Sequence, residues 1–144
     1  MKNFQLLIIA LITSISVFAN ESEKTVKEAF KSDYASATNA AWNKDGDLYL
    51  VSFDVDGVKA KATYTEGGEM VQLIQYIPEE HLPMYIRNVI KSSLGSKKTV
   101  NVVTTISNKE GTSYFVRMED AKNWYLYKID SYGYSERVEK FKKA

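Results

Sequence analysis

An α+β fold, arranged as a tandem repeat of a helix plus a four-stranded antiparallel sheet with the helices packed on one sheet face, is predicted from three features of the sequence. Two segments carry apolar residues at helical spacing. Eight shorter segments carry strand signals, four after each helix. Residues 43–51, Asn43-Lys44-Asp45-Gly46-Asp47-Leu48-Tyr49-Leu50-Val51, recur 65 residues later as Asn108-Lys109-Glu110-Gly111-Thr112-Ser113-Tyr114-Phe115-Val116, with Asn, Lys, Gly, Tyr and Val identical. The same offset pairs Asp54 with Glu119 and Gly68 with Gly133. Internal repetition is therefore the organising expectation.

The chain begins with a leader. Met1-Lys2-Asn3 gives a positive start, Phe4 to Phe18 is uncharged and mostly apolar, and Val17-Phe18-Ala19 fits a small-x-small cleavage site. Residues 1–19 thus read as a secretory signal peptide cleaved after Ala19. The apolar run is about fifteen residues, short of the ~20 that a spanning helix needs, and Thr13 and Ser14 interrupt it. No cysteine follows it, which excludes a lipid-modified N-terminal cysteine. Residues 20–144 then form a single domain of two repeats, about 20–77 and 78–144.

Glu21 to Tyr34 reads as the first helix, with Ser22 as N-cap and Val26, Ala29, Phe30 and Tyr34 as one apolar stripe. Ala40 to Asn43 is a short strand. Leu48 to Val55 and Val58 to Tyr64 flank Asp56-Gly57, a strong two-residue hairpin signal. Met70 to Ile77 follows the turn at Thr65-Glu66-Gly67-Gly68. The two-residue loop fixes the facing: Tyr49, Val51, Phe53 and Val55 share a side with Val58, Ala60, Ala62 and Tyr64, while Leu50, Ser52, Asp54, Lys59 and Lys61 lie opposite. Pro83 is placed as the first residue of a second helix, with Leu82, Ile86, Val89, Ile90 and Leu94 buried and Gly95 as the cap. Strands return at Thr99–Ile106, Thr112–Glu119, Trp124–Ile129 and Tyr134–Phe141. The helices match at an offset of 60 rather than 65, so the second half holds about five more residues between helix and turn.

This layout resembles the PepSY-like family of small exported bacterial proteins, whose fold is shared with the β-lactamase inhibitor protein. The resemblance is carried by the leader, Phe30 in a short helix, Ala41-Trp42 at the first strand, Gly67-Gly68 in a hairpin turn, and Leu82-Pro83 at the second helix. It implies a periplasmic or secreted, non-enzymatic protein, and for distant members a role in inhibiting or regulating peptidases. The chain departs from the pattern at Ser107, where the repeat register places the partner of Trp42, and in having no cysteine to form the inhibitor's disulfides.

Composition and motifs point away from chemistry. Lys2 is the only charge in the leader, so removing it takes Lys plus Arg from 19 to 18, balancing the 18 acids. Such a chain exerts no long-range pull on nucleic acid or anionic membrane, and no membrane contact is expected after leader removal. His81, the only histidine, sits between two prolines with no nucleophile motif nearby. With no cysteine and one histidine, no soft-metal site is expected, nor any cofactor. Asn43, Asp45, Asp47 and Asp54 fall in a calcium-loop register, but Leu48 takes the glycine position, so a plain turn is expected.

The aromatic distribution is more informative. Parity puts Tyr114, Val116, Met118, Tyr125, Tyr127 and Ile129 on the helix-covered side, leaving Phe115, Arg117, Trp124 and Leu126 on the open face. Aromatics beside an arginine are the composition of an interface hot spot. Two structural readings stay open: another element covers this face, or a one-residue slip makes the three apolar residues core. The expected function is an exported, non-enzymatic binding protein that engages a protein or peptide through this face, as an inhibitor or modulator of a secreted enzyme. The alternative is a small-ligand carrier with its site between the two repeats.

Overall fold

The computed structural model describes residues 14–94, 98–99 and 102–144. Most of the predicted leader and the predicted cap at Gly95 lie outside the described residues. Helix α1 runs Ser14–Asp33 and helix α2 Met84–Ser93. The strands are β1 Thr38–Asp45, β2 Leu48–Val55, β3 Val58–Thr65, β4 Met70–Pro78, β5 Lys98–Thr99, β6 Val102–Asn108, β7 Gly111–Glu119, β8 Asn123–Ile129 and β9 Ser135–Lys142.

All pairs are antiparallel, in the order β1-β2-β3-β4-β6-β7-β8-β9, with short β5 added beside β7. The expected pair of four-stranded sheets is therefore one continuous sheet. Its join is the β4–β6 ladder, from Leu73 opposite Ser107 to Pro78 opposite Val102. Helix α2 is the crossover between these two neighbours.

Both helices lie on one face, and each has its own core. Val26 and Phe30 of α1 pack with Tyr49, Val51, Phe53, Ala60, Ala62 and Tyr64. Ile86 and Ile90 of α2 pack with Val103, Val116, Met118 and Ile129, joined by the flanking Leu82 and Leu94. Burying each such large apolar side chain contributes about 1.5–3 kcal/mol relative to exposure. The Asp56-Gly57 loop is the expected one, with φ of 51° and 77°, the positive pair that matches the strand twist of a type I′ hairpin. Facing about it holds: Tyr49, Val51, Phe53, Ala60, Ala62 and Tyr64 are buried, whereas Ser52, Lys59 and Lys61 are exposed.

Boundaries moved where sequence signals were weak. Helix α1 begins before Glu21, so Ser22 lies inside it rather than capping it. Pro83 is the N-cap of α2, not its first residue, and its carbonyl accepts from the Arg87 N–H at 3.1 Å.

The matched nonapeptides do not occupy matching places. In β1–β2 the ladder closes at Asp45 opposite Leu48, around Gly46-Asp47. In β6–β7 it closes at Asn108 opposite Gly111, around Lys109-Glu110. Tyr49 faces Lys44 but Tyr114 faces Thr105, four residues short of the Lys109 that the motif offset selects. The strand part, Tyr49/Val51 and Tyr114/Val116, keeps the same facing and is buried in both halves. The turn part does not coincide. The second hairpin is longer by two pairs, Ser107–Thr112 and Asn108–Gly111, of which Ser107 and Asn108 supply two of the about five extra residues expected between helix and turn.

Two turn glycines show why the helices sit where they do. Gly68, at φ +80°, would place a Cβ 3.2 Å from Ala29 Cβ, and Gly133, at φ +87°, would place one 3.4 Å from Val89 Cγ2. In each half, then, the last hairpin turn closes onto the helix through a residue that needs both positive φ and no side chain.

Candidate protein-binding face

Alternation along β7 and β8 sorts their side chains to two sides of the sheet. Tyr114, Val116, Met118, Tyr125, Tyr127 and Ile129 are buried under α2, as parity predicts. Phe115, Arg117, Trp124 and Leu126 fall on the opposite face, and no one-residue slip occurs in β7–β8. Arg117 is exposed and lies directly across from Leu126, while Phe115, Trp124 and Leu126 are half-buried by their sheet neighbours.

Each ladder extends the patch. Trp124 pairs with Phe141 of the edge strand β9, which is 54% exposed. Phe115 pairs with Thr104, and Thr104 with Tyr76 on β4. Because directly opposite residues share a side, one row crosses the open face from Asp54 through Lys59, Tyr76, Thr104 and Phe115 to Lys128. Tyr76 and Phe141 were missing from the sequence-predicted site. Their membership depends on which strands pair, and β4–β6 pairing leaves no local signal.

A second set of groups fixes Trp124 in place. Asp120 accepts from the backbone N–H of Lys122 and Asn123, both at 2.8 Å, and from the Tyr125 hydroxyl at 2.5 Å. The Tyr125 hydrogen bond, then the backbone donors, hold the Asp120 carboxyl well below the usual carboxylate range. Residues on both sides of Trp124 are thereby tied to one carboxylate. Over the Trp124 ring sits the Lys143 ammonium, 4.7 Å from the centroid, which also bonds Glu119 at 2.6 Å. The Lys143 N–H donates to the Lys122 carbonyl at 2.8 Å, anchoring the chain end beside the patch.

The open face is uneven. A depression of about 320 Å³ is bordered by Ile106, Ser113, Phe115, Lys128 and Tyr132. Another, of about 390 Å³, is bordered by Ala41, Asn43, Leu50, Lys61, Gln72 and Ile74. At the join between the halves on the helix-covered side, Gln75 pairs with Thr105, which is buried.

The groups weighed for chemistry lie apart. His81 is exposed in the 3-10 turn Glu79–His81 ahead of α2. Asn43 and Asp45 belong to β1, Asp47 to the turn, and Asp54 receives the Asn39 side-chain amide at 2.8 Å. Among the described residues, no cluster of three or more His, Asp or Glu could hold a metal ion, and no helix is long and apolar enough to cross a membrane.

No family model matches the chain, and no curated protein matches it. Solved structures do. A BLIP-like protein from Bacteroides fragilis superposes with a TM-score of 0.64 at 17% identity, over 83% of this chain and 84% of that one. A DUF2874 family protein from Bacteroides uniformis gives 0.63 at 20% identity, over 82% and 87%. A Bacteroides eggerthii protein provisionally assigned to the periplasm gives 0.63 at 20%, over 82% and 86%. At such identities the likeness speaks to architecture alone, and on that ground two helices on one face of a continuous antiparallel sheet constitute a BLIP-like α+β fold.

Proposed function

We propose that this chain is an exported, non-enzymatic binding protein, periplasmic or secreted, that engages a protein or peptide through the open face of its sheet. Phe115, Arg117, Trp124 and Leu126 form the centre of contact, extended by Tyr76 and Phe141. The observation that carries this reading is the half-buried apolar cluster around Arg117, on the sheet face opposite the one that both helices occupy among the described residues. Half-buried aromatics beside an exposed arginine supply anchors with little freedom left to lose on binding. The apolar leader and a structural neighbour provisionally assigned to the periplasm support export.

Three finer points belong to the same proposal. Residues 20–144 act as one domain whose halves descend from a duplicated helix-and-hairpins unit, supported by the paired Gly68–Ala29 and Gly133–Val89 contacts. The chain is a distant PepSY-like protein, supported by the residues that carry that resemblance. It inhibits or modulates a secreted enzyme, supported by the BLIP-like neighbour.

Changing Trp124 to Ala should abolish capture of the partner from a periplasmic extract while the melt stays near that of the wild type. A hot-spot tryptophan is worth at least ~2 kcal/mol, roughly thirtyfold in affinity. Undiminished capture with a normal melt removes this face from consideration. An enclosed ligand recovered between the halves would favour the carrier reading instead.

A further inference from the structure

The charges of the open face have a pattern that the aromatic patch alone does not explain. Lys59 and Lys61 stand on β3, Arg117 on β7 and Lys128 on β8. None of these four belongs to an ion pair among the described residues. Of the nearby carboxylates, Asp54, opposite Lys59, takes the Asn39 amide; Glu119 is held by Lys143; Asp130 accepts the N–H groups of Tyr132 and Tyr134 in its own turn. On edge strand β9, Glu136 lies directly across from Lys128 and Glu139 across from Leu126. Lys61 and Arg117 are thus the two cations whose cross-strand neighbours are uncharged.

Between the two lines of cations runs an apolar band. Ile74 and Tyr76 of β4, Val102 and Ile106 of β6, and Phe115 of β7 lie on it, with Thr104 between. With strands ~4.8 Å apart, β3 stands ~14 Å from β7 and ~19 Å from β8. An α-helix with its side chains is ~10–12 Å across. It fits between the cations, with room for a carboxylate on each flank.

Resting on the reading that this face binds protein, we infer that its occupant is an amphipathic helix of a partner protein whose apolar stripe is bordered on both sides by Asp and Glu. The stripe covers Ile74, Tyr76, Ile106 and Phe115, with the carboxylates of one flank meeting Lys61 and those of the other meeting Arg117. Opposed charges on the two flanks fix the position of the helix and speed encounter. A single-stranded nucleic acid is less suited to this surface. It needs cations along one continuous backbone track with rings for stacking, whereas aliphatic Ile74, Val102 and Ile106 separate the cations here.

The test titrates the exported protein with two dye-labelled helical peptides of identical Leu pattern, one flanked by Glu and the other by Lys, following anisotropy at low and high salt. The Glu peptide should bind at least about tenfold tighter, with the margin shrinking as salt rises. The double variant K61E/R117E, altered at two exposed positions, should lose or invert the preference while melting as the wild type does. Equal binding of both peptides, preference for the Lys peptide, or binding of a thymidine oligonucleotide in place of the Glu peptide would overturn the inference. Phe115→Ala, which removes a ring shared by the patch and the stripe, separates this from the reading beneath it. Peptide binding lost in Phe115→Ala but untouched in K61E/R117E keeps the face and rejects the acidic helix. Binding indifferent to both variants rejects the face as well.

Discussion

The two halves of the sheet place their Phe and Trp side chains on opposite sides. In the first half the rings gather under α1, where Phe30 meets Tyr34, Trp42, Phe53 and Tyr64 at centroid distances of 5.7, 5.3, 4.9 and 6.4 Å. The open side there carries Ser52, Lys59 and Lys61, with Tyr76 of β4 beside them. In the second half the helix side is filled by Ile86, Ile90, Val103, Val116, Met118 and Ile129 together with Tyr114, Tyr125 and Tyr127. Phe115, Trp124 and Phe141 stand on the open side instead. One helix-on-sheet layout thus tolerates either arrangement. A core of aliphatics and tyrosines under α2 leaves Phe115, Trp124 and Phe141 of β7, β8 and β9 to the open face.

The largest expected effect breaks the first-half core. Phe30→Ala should cost about 3–5 kcal/mol, and Ile90→Ala, at the same place in the α2 stripe, about 2–5 kcal/mol. Urea midpoints report both. A clearly greater loss at Ile90 would mean that the ring cluster around Phe30 carries little of the stability assigned to it.

The facing of the first hairpin can be sharpened next. Phe53 is 3% exposed and Leu50 only half-buried on the other side. Phe53→Ala should cost about 3–5 kcal/mol and Leu50→Ala less than about 2 kcal/mol. The reverse order of midpoints would contradict the observed ladder.

Smaller effects follow at the turns that close onto the helices. Gly68→Ala and Gly133→Ala each force a side chain into positive φ, for about 1–2 kcal/mol. Gly68→Ala should be the worse, because its Cβ would come within 3.2 Å of another Cβ, against 3.4 Å at Gly133. Equal losses, read from thermal melts, would show that backbone strain alone decides.

High pH distinguishes the halves by their buried tyrosines. Tyr64 is buried and donates to Asp33 at 2.9 Å, and burial, then that carboxylate, raises its hydroxyl far above the tyrosine range. Burial and the Tyr85 hydroxyl push Tyr114 up to about 12. With folded values above the unfolded ~10, both contributions are complete below that pH and are lost as pH rises through the folded values. Stability should therefore be level up to pH ~10 and fall above it. In Tyr114→Phe the fall should be shallower between ~10 and about 12. An unchanged slope would remove Tyr114 as a cause.

Much of this was legible in the sequence because it rests on local periodicity. Asp56-Gly57 is a turn with one facing, so it sorted Tyr49, Val51 and Phe53 from Ser52, Lys59 and Lys61 without knowledge of other strands. The apolar stripe of α2 was equally plain. The repeat offset misled at the hairpin tips, since Asn, Lys and Gly are residues that any turn favours. Their identity at 43–46 and 108–111 reflects turn chemistry and not a shared place in the ladder. The start of α1 was obscured because the helix runs unbroken from Ser14 through the predicted cleavage site after Ala19. Tyr76 and Phe141 escaped notice because partners across β4–β6 and β8–β9 are set by long-range pairing.

The most direct test of the contrast compares the two tryptophans by thermal melting. Trp42 packs edge-on against Phe30 at 5.3 Å on the helix side, whereas Trp124 lies on the open face beneath Lys143. Trp42→Ala should cost at least about 2 kcal/mol, a drop in Tm of roughly 8 °C at about 4 °C per kcal/mol. Trp124→Ala should lower Tm by no more than a few degrees, losing mainly the cation–π contact of about 0.5–1 kcal/mol. A collapse of Trp124→Ala with little change in Trp42→Ala would contradict the account, placing the structural tryptophan in the second half and leaving the open face without its proposed anchor.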